Sequence, residues 1–389
     1  MVDKAAEDRT IAPGSTIGIL GSGQLGKMTA MAAKHMGYHV HVFSPDRNTP
    51  AGQVADVEIQ ASYTDLAAVE SFAKQVDVVT LEFENVPTET LAAVEKHTNV
   101  HPGIKTLQTT QNRGLEKGFL IDQGIPTCKF QVVRSLEELR EAAGKLLPAI
   151  LKTTSMGYDG KGQFVLRDIA DVETAWETLQ TEEAILEEFV DYDFEFSVIA
   201  ARNVDGQFAA YPTIRNEHEN QILDLSFSPS GLDDALNTRG IEIAARIMRE
   251  LGTVGVLCVE FFCRGEEVLV NEMAPRPHNS GHLTIEAHAT SQFEQQVRAV
   301  CGLPLGSTEQ IKPAAMANLL GQHWEQGTPQ WNRALAMSNV KLHLYCKEAA
   351  KANRKMGHMV ALAESSSAAS TQILAARESL NIETPSACS

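Results

Sequence analysis

The N-terminal part of the chain alternates short apolar runs with helical patterns, and a glycine-rich turn joins the first two elements. Residues 16–20 predict a strand, residues 24–36 a helix and residues 39–43 a second strand. The turn between strand and helix has the sequence Gly21-Ser-Gly-Gln-Leu-Gly26. Strands that are linked through helices pair in parallel, and helices cover both faces of such a sheet. The pattern therefore predicts an α/β fold with a parallel sheet up to about residue 103.

The pattern changes further along the chain, which favours more than one domain. A length of 389 residues exceeds what one ordinary hydrophobic core accommodates, so two or three domains are expected. Further helices are predicted at residues 65–74, 113–123, 171–179 and 241–251. Further strands are predicted at residues 57–59, 76–80, 195–200, 254–262, 267–271 and 341–345. Residues 365–370 and 384–389 have the composition of poorly ordered chain.

Composition and charge exclude several classes of function. Hydrophobic residues make up 43% and charged residues 21%, as in a globular protein. No run approaches the ~18 apolar residues that a membrane helix needs, so no membrane partner is expected. The net charge of −17 repels nucleic acid. The six cysteines are scattered without a C-x-x-C pair, which predicts reduced thiols in a cytoplasmic protein rather than disulfides or a zinc ribbon.

The glycine turn by itself allows three interpretations. Glycines between a strand and a helix let backbone N–H groups approach a phosphate at the helix N-terminus. Asp46 lies 20 residues beyond Gly26, as in the dinucleotide fingerprint. The same turn also serves packing alone, or packing together with a small-ligand role. The pattern leaves all three open.

Two carboxylates follow the predicted strand at residues 76–80. Glu82 and Glu84 are spaced i, i+2, which places them on one side of an extended chain. The carboxyl ends of parallel strands are where such sheets bind ligands, so the two acids would hold an amine or hydroxyl groups there. A solvated loop with the same acids is an equal alternative.

The most informative stretch is the glycine loop at residues 157–163, preceded by Lys152. A lysine at a strand end, followed by a mobile loop that carries Lys161, suits nucleotide phosphates. No G-x-x-x-x-G-K-[ST] sequence occurs anywhere, so this is not a Walker A loop. The alternative is a surface hairpin. The apolar run at 184–190, with Glu195 beyond it, would suit an adenine cleft, although by itself it is more typical of an ordinary strand exit.

Acidic and amide oxygens on two successive strands indicate a metal site. Glu260 lies within a strongly apolar run, where a carboxylate is costly unless it is paired or metal-bound. Together with Asn271 and Glu272 on the next strand, it offers the oxygen ligands that Mg²⁺ prefers. An exposed hairpin is the alternative.

Two further segments carry candidate anion donors. Residues 273–282 offer an arginine, an asparagine, a serine and two histidines on a proline-stiffened loop. Zinc at His278 and His282 is disfavoured, because Pro277 and Gly281 oppose a helix there. In the C-terminal part, the basic cluster comprises Lys347, Lys351, Arg354 and Lys355. It fits a phosphate site, although by itself it is more typical of a solvated face.

Taken together, these segments resemble the ATP-grasp superfamily and, within it, the synthetases that use aminoimidazole ribonucleotide. The resemblance covers residues 16–358. Its most specific piece is Asn271-Glu-Met-Ala-Pro-Arg-Pro-His-Asn-Ser-Gly-His282. The other matching pieces lie at residues 21–26, 82–85, 157–163 and 354–358. Ser22 stands where glycine is frequent, and residues 215–218 match the family's histidine region only loosely.

The resemblance implies an ATP-grasp architecture, an α/β fold with an α+β lid. Residues 1–112 would form a Rossmann-like pre-ATP-grasp domain that binds no dinucleotide. Residues 113–306 would form the ATP-grasp core, including a lid at about 125–190. Residues 307–389 would form a mixed α+β C-terminal domain and tail.

The resemblance also assigns residues to ligands. The residues implied for ATP are Arg113, Lys152, Gly157, Tyr158, Asp159, Gly160, Lys161, Gly162, Gln163, Glu187, Glu188, Phe189, Val190, Glu195, His218, Asn271 and Glu272. Those implied for the ribonucleotide are Gln24, Leu25, Glu82, Arg276, His278, Asn279, Ser280, Lys347, Arg354 and Lys355. Mg²⁺ would bind Glu260 and Glu272. The implied catalytic residues are Tyr158, Asp159, Lys161 and Arg276.

The implied activity is a ligation with ATP and Mg²⁺ as cofactors. 5-Aminoimidazole ribonucleotide and bicarbonate would give the N5-carboxy product, ADP and phosphate, through carboxyphosphate, in purine biosynthesis. A homodimer is implied as well. Three alternatives remain at this point. They are an ATP-grasp ligase for another ribonucleotide, a catalytically silent nucleotide-binding subunit, and an NAD-dependent dehydrogenase suggested by the glycine turn and Asp46.

Overall fold

The computed structural model describes residues 10–155, 157 and 162–381, and it contains three sheets. The first sheet has five parallel strands in the order β3-β2-β1-β4-β5. Its strands are β1 (Thr16–Leu20), β2 (His39–Ser44), β3 (Val57–Gln60), β4 (Val78–Leu81) and β5 (Asn99–His101). Its helices are α1 (Gln24–His35), α2 (Leu66–Ala73), α3 (Thr88–Glu95) and α4 (Ile104–Gln111). The predicted parallel, helix-covered sheet is confirmed.

The turn between β1 and α1 requires a glycine at its first position. Ile17, Ile19 and Leu20 are fully buried in β1, and a Cβ on the next residue, Gly21, would meet the Glu82 Cγ at 2.1 Å. Gly21 takes a φ of 111°, a conformation that side chains rarely adopt. The turn thereby brings the N-terminus of α1 to the carboxyl edge of the sheet.

A second, smaller sheet is antiparallel and has the order β6-β9-β7-β8. Helix α5 (Arg113–Asp122) precedes it. Its elements are β6 (Phe130–Val133), α6 (Leu136–Leu146), β7 (Ala149–Thr153), β8 (Gln163–Leu166), α7 (Asp171–Leu179) and β9 (Ala184–Glu188). The predicted helices at 113–123 and 171–179 are confirmed. Leu139, Leu151 and Leu186 belong to one buried cluster that joins the two helices to the strands.

The third sheet is the largest, with strands in the order β15-β14-β10-β12-β13-β16-β18-β17 and β11 added beside β10. Its strands are β10 (Phe194–Arg202), β11 (Phe208–Ala210), β12 (Ile214–Glu219), β13 (Ile222–Ser228), β14 (Gly255–Arg264), β15 (Glu267–Ala274), β16 (Ala314–Leu320), β17 (Val340–Leu344) and β18 (Lys355–Leu362). Its helices are α8 (Asp234–Leu251), α9 (Thr284–Ala287), α10 (Gln292–Val300), α11 (Trp331–Leu335) and α12 (Ser366–Glu378). Residues beyond 307 therefore extend the same sheet that carries the candidate metal acids.

Two sequence predictions about helices need correction. Helix α8 begins at Asp234 rather than at residue 241, because the Asp233 side chain accepts a hydrogen bond from the Leu236 N–H and caps the helix. Residues 365–370, predicted to be poorly ordered, form the first turn of α12. The Ser365 hydroxyl caps this helix by accepting from the Ala368 N–H at 3.2 Å, and Ala369 and Ile373 are buried. Residues 384–389 lie outside the described part of the chain.

The described helices include none that is both long and apolar enough to cross a membrane. The three sheets converge on one cleft. The carboxyl ends of β1 and β4 approach it from the first sheet, and those of β7 and β9 from the second. From the third sheet, the amino end of β10 and residues of β14 and β15 line it.

Candidate active site

The cleft has a volume of about 970 Å³ and contains most of the predicted site residues. The predicted residues that line it are Gln24, Leu25, Glu82, Arg113, Lys152, Gly157, Gln163, Glu187, Glu188, Phe189, Val190, Glu195, His218, Glu260, Asn271, Glu272, Arg276, His278, Asn279 and Lys355. Tyr158, Asp159, Gly160 and Lys161 lie outside the described residues. Gly162, Ser280, Lys347 and Arg354 are described and do not line the cleft.

Lys152 on β7 and Glu187 on β9 form a buried ion pair in the cleft. The Lys152 Nζ lies 2.6 Å from the Glu187 Oε2, and the two side chains are 12% and 4% exposed. Burial acts to raise the pKa of Glu187, but Lys152, Lys117 and Arg113 overcome it and lower that pKa to about 2. Glu187 is therefore ionised at neutral pH, and it holds the Lys152 ammonium at the cleft wall.

An apolar wall lies beside this pair. Tyr192 and Phe262 stack with ring centroids 4.6 Å apart and planes 11° apart. Ile150, Val165 and Leu223 complete a slot that suits a flat base, with Glu188 to Val190 at its edge. Sequence reasoning found only that edge, because the slot is assembled from strands of two different sheets.

Glu195 on β10 and His218 on β12 also line the cleft. The His218 Nδ1 is 2.5 Å from the Glu195 Oε2. Burial acts to lower the pKa of His218, but the Glu195 carboxylate outweighs it and raises that pKa. The two residues were predicted separately for the nucleotide, and the structure brings them together as an ion pair.

Glu260 and Glu272 face each other across the antiparallel pair of β14 and β15. Burial and the neighbouring Glu272 raise the pKa of Glu260 to about 8. Burial also acts to raise the pKa of Glu272, but Arg113 and Lys152 lower it to about 2. The Arg113 Nη1 lies 3.1 Å from the Glu272 Oε2. Repulsion between the two opposed carboxylates favours a proton on one of them. Together the two side chains offer the oxygen ligands that suit Mg²⁺.

The two histidines of the 273–282 segment do not form a zinc pair. The His278 Nε2 is 3.7 Å from the Glu260 Oε1, whereas the His282 ring packs against His358 with centroids 4.7 Å apart. Residues 279–283 form a 3-10 helix rather than an irregular loop. Among the described residues, the group with metal-ligand spacing is Cys258, Glu260 and His278, and His282 is not part of it.

Arg276 and Glu84 form a forked pair that joins the first and third sheets. The Arg276 Nε donates to the Glu84 Oε2 at 2.5 Å and its Nη2 to the Oε1 at 3.1 Å. Burial acts to raise the pKa of Glu84, but Arg276 outweighs it and lowers that pKa. Glu84 therefore binds a residue of this chain, which places Arg276 at the cleft wall with its charge balanced.

Glu82 explains the glycine turn. Its carboxylate accepts hydrogen bonds from the Gly26 N–H at 2.7 Å and from the Gly23 N–H, at the N-terminus of α1. A phosphate at that helix end would need the same donors. The protein's own carboxylate thus takes the place that a dinucleotide pyrophosphate occupies in a Rossmann domain.

Comparison with known proteins agrees with this arrangement. Family models match for a ribonucleotide synthetase preATP-grasp domain at residues 14–111, an ATP-grasp domain at 118–293 and a phosphoribosylaminoimidazole carboxylase C-terminal domain at 314–372. The N5-carboxyaminoimidazole ribonucleotide synthase of Bacillus subtilis is 44% identical over 353 residues, which cover 90% of this chain and 92% of that one. The chain belongs to the N5-carboxyaminoimidazole ribonucleotide synthase family.

Other relatives and solved structures support the assignment. The bifunctional purine synthesis protein purC/E of Dictyostelium discoideum is 44% identical over 89% of this chain, which spans 37% of that protein. A synthetase solved as an ADP complex superposes with a TM-score of 0.90 at 45% identity, covering 95% of this chain and 97% of that chain. The Aspergillus clavatus synthase with ADP and aminoimidazole ribonucleotide has a TM-score of 0.86 at 31% identity, covering 95% and 99%. The ATP-grasp fold and the ligase class are thus confirmed, and the dehydrogenase alternative is wrong.

Two charged residues of α5, Glu116 at the cleft and Lys117 buried next to it, were not predicted from the sequence. Lys117 on α5 is fully buried, and its Nζ donates to the Asn271 carbonyl at 2.7 Å. Its neighbour Glu116 accepts from the Met273 N–H at 2.5 Å, and burial raises the pKa of Glu116 to about 8. The two side chains fix the backbone around Glu272. The sequence does contain a pattern that indicates these residues, because Arg113, Glu116 and Lys117 lie on one helix face at i, i+3, i+4 spacing.

The basic cluster contributes one residue to the cleft. Lys355, at the start of β18, lines it. The Lys347 Nζ donates to the Lys355 carbonyl at 2.7 Å, and the Arg354 Nη1 donates to the Ala349 carbonyl at 2.9 Å. Ser280 is fully buried beneath the cleft, where its hydroxyl lies 2.8 Å from that of Ser197.

NAD and NADP are expected not to bind this protein, because Glu82 occupies the helix N-terminus that their pyrophosphate would need. Isothermal titration calorimetry with NAD, beside ATP as the positive control, checks this. Micromolar NAD affinity would show that the Glu82 carboxylate does not block the turn.

Proposed function

We propose that this chain carboxylates 5-aminoimidazole ribonucleotide with ATP and bicarbonate, giving N5-carboxyaminoimidazole ribonucleotide, ADP and phosphate. The observation that carries the proposal is the single cleft in which Lys152 and Glu187, Glu260 and Glu272, and Arg276 and His278 meet. These three pairs suit a nucleotide, a divalent cation and an anionic acceptor respectively. Relatives of the same fold have been solved with ATP, and with ADP together with aminoimidazole ribonucleotide.

The chemistry begins with activation of bicarbonate, which is a poor electrophile. A bicarbonate oxygen attacks the γ-phosphorus of ATP, ADP leaves, and carboxyphosphate forms. Lys152, held by Glu187, would face the phosphates and offset the charge that accumulates during transfer. Glu260 and Glu272 would hold Mg²⁺, which would supply positive charge to offset the negative charge of the nucleotide phosphates.

The second half of the reaction needs the acceptor close to the carboxyphosphate and water kept away from it. Carboxyphosphate breaks its C–O bond to release CO₂ and phosphate, and the amine nitrogen attacks the CO₂ carbon. The amine proton passes to the phosphate that has just been released. Arg276 and His278 would orient the ribonucleotide, because both line the cleft next to the metal acids. No covalent bond to the enzyme is required.

The finer parts of the proposal follow from the family. Mg²⁺ and bicarbonate fit the oxygen donors and the positive side chains of the cleft. The assignment of individual residues to ATP, to the ribonucleotide and to catalysis stays a prediction, as do the domain boundaries. The homodimer also stays a prediction, and light scattering coupled to size-exclusion chromatography measures it.

ADP release with single omissions tests the function. The full mixture of ATP, Mg²⁺, bicarbonate and aminoimidazole ribonucleotide should release ADP, and omission of the ribonucleotide should lower the rate to background. Isotope from labelled bicarbonate should appear in the ribonucleotide product. A different ribonucleotide that supports faster ADP release would assign the chain to another acceptor, and ADP release without any acceptor would contradict the ligase.

The basic cluster gives a prediction about substrate affinity. We expect Lys355→Ala to raise the KM for the ribonucleotide about tenfold, because a charge-assisted phosphate contact contributes roughly 1.5–3 kcal/mol. Arg354→Ala should have a similar effect if Arg354 and Lys355, both implied for the ribonucleotide, hold the phosphate together. The KM for ATP should stay unchanged in both variants.

Steady-state kinetics with each substrate varied separately makes the measurement, and Lys351→Ala is the control because Lys351 is exposed and does not line the cleft. A rise in the KM for ATP would assign the cluster to the nucleotide. Unchanged constants in both the Lys355 and Arg354 variants would show a solvated face.

A further inference from the structure

The side-chain amide of Gln292, the first residue of α10, pairs with the backbone of His278. The His278 N–H donates to the Gln292 Oε1 at 2.9 Å, and the Gln292 Nε2 donates to the His278 carbonyl at 2.7 Å. Gln292 is fully buried. The amide thus satisfies both backbone groups of one residue, much as a neighbouring β-strand does.

The contacts of Gln292 extend along the rest of the segment. Its Nε2 lies 3.2 Å from the His282 Nδ1, and its backbone N–H donates to the Thr284 hydroxyl at 2.9 Å. That hydroxyl donates to the Gly281 carbonyl at 2.6 Å. A Cβ on Gly281 would meet the Gln292 Oε1 at 2.5 Å, so a glycine leaves the room that the amide occupies. One glutamine therefore sets the path of residues 278–284.

The path of this segment decides where the His278 ring enters the cleft. The ring contacts the Ser280 hydroxyl through Nδ1 at 2.9 Å and faces Glu260 through Nε2 at 3.7 Å. Glu260 lines the cleft and Ser280 is buried behind it, so the position of the ring between them depends on the backbone that carries it. Gln292 itself does not line the cleft. Its influence on a bound ligand must therefore pass through His278.

We propose that Gln292 is a positioning residue for the ribonucleotide side of the cleft, which it maintains by fixing the backbone of His278. The proposal rests on the carboxylation reaction proposed above. It is physically reasonable because a shift of about 1 Å in a positioning group can cost roughly a hundredfold in rate. Loss of the clamp would allow such a shift, since two buried backbone groups of His278 would have to find new partners.

Helix α10 supplies a matched control in Gln295. Gln295 is also fully buried, and its amide makes the same double contact with another residue. Its Nε2 donates to the Gly306 carbonyl at 2.7 Å, and its Oε1 accepts from the Gly306 N–H at 2.9 Å. Gly306 does not line the cleft. The two glutamines differ mainly in whether the clamped segment carries a cleft residue.

The experiment compares Gln292→Met with Gln295→Met, two replacements that keep the length of the side chain and remove its hydrogen bonds. We expect Gln292→Met to lower kcat/KM for the ribonucleotide by about tenfold to a hundredfold, with the KM for ATP unchanged. Gln295→Met should leave both constants unchanged. The melting temperature should fall in both variants.

Gly281→Ala provides a second test that keeps the glutamine. The added methyl group meets the amide, so the clamp should be displaced and the same loss of kcat/KM should follow. In a double-mutant cycle, Gly281→Ala is combined with Gln292→Ala. The loss of kcat/KM in the double variant should be no larger than the loss in Gln292→Ala alone, because both changes act through one amide. Additive losses would contradict the shared mechanism.

The outcomes separate this inference from the function itself. A wild-type enzyme without ribonucleotide-dependent ADP release would contradict the proposed function. With an active wild type, equal kinetics of Gln292→Met and Gln295→Met would overturn the positioning role. If Gln292→Met does not fold, Gly281→Ala decides, and failure of both to fold would assign the clamp a structural role and overturn the proposal.

Discussion

Glu272→Gln is expected to lower ADP release at least about a hundredfold while the protein stays folded. Glu272 lies opposite Glu260, its proposed partner in holding Mg²⁺, and its Oε2 is 3.1 Å from the Arg113 Nη1. Loss of one carboxylate from a metal site removes several kcal/mol of transition-state stabilisation, and about 1.4 kcal/mol corresponds to a factor of ten. Glutamine still accepts a hydrogen bond from Arg113, which preserves the local packing.

The control is Glu267→Gln, because Glu267 lies on the same strand, pairs with Arg264 at the exposed end of the hairpin and is 47% exposed. Its ADP release should match that of the wild type. Electron paramagnetic resonance measures the binding of Mn²⁺ independently of turnover. Glu272→Gln should weaken this binding. Near-normal turnover and Mn²⁺ affinity in Glu272→Gln would remove Glu272 from the metal site.

Helices and strands could be predicted from the sequence where the pattern of apolar residues and the turn residues indicate the same boundary. β1, α1 and β2 were predicted because the spacing of apolar residues changes from that of a strand to that of a helix at a glycine turn. Helix α8 was predicted to begin too late, since Gly240 interrupts its pattern. In the structure Gly240 packs against Phe196, where a Cβ would approach the ring to 2.9 Å, so tertiary contact outweighs the helix propensity.

The start of α12 was missed for a similar reason. Residues 365–370 are serine and alanine, which carry no strong apolar period and look like a disordered segment. Small residues are what this position needs, because the helix packs closely on the third sheet with Ala369 and Ala376 buried. Composition cannot distinguish a close-packing surface from an unfolded tail.

The site was predictable to the extent that its residues lie at strand ends. Glu260 and Glu272 were found because acids in apolar strands are costly without partners. Gln292 and Lys117 were not found, because each acts on the backbone of a distant segment, and such pairings depend on the fold. The contact of Glu82 with the ribonucleotide stays a prediction, whereas its cap on α1 was not found, since sequence alone cannot show which helix an acid at a strand end caps.

Breaking the Arg276–Glu84 pair is expected to have the second large effect. Both residues line the cleft, and their side chains are 17% and 24% exposed. Arg276→Ala leaves the Glu84 carboxylate buried without its guanidinium, which typically costs about 3–5 kcal/mol of folding free energy. Arg276 is also predicted to contact the ribonucleotide, so kcat/KM for the ribonucleotide should fall as well.

The control pair is Arg377 and Asp224, which is also forked, with the Arg377 Nη2 donating to the Asp224 Oδ2 at 2.9 Å and side chains 16% and 22% exposed. It joins α12 to β13 outside the cleft, so Arg377→Ala should destabilise the protein without changing the ribonucleotide constants. Urea unfolding measures the stability of both variants, and steady-state kinetics measures the substrate constants.

A double variant, Arg276→Ala with Glu84→Gln, should regain part of the lost stability, because no unpaired carboxylate then remains. If it regains stability but not activity, Arg276 acts on the ribonucleotide directly. If it regains both, the arginine serves the cleft mainly by balancing Glu84, and its predicted catalytic role is wrong.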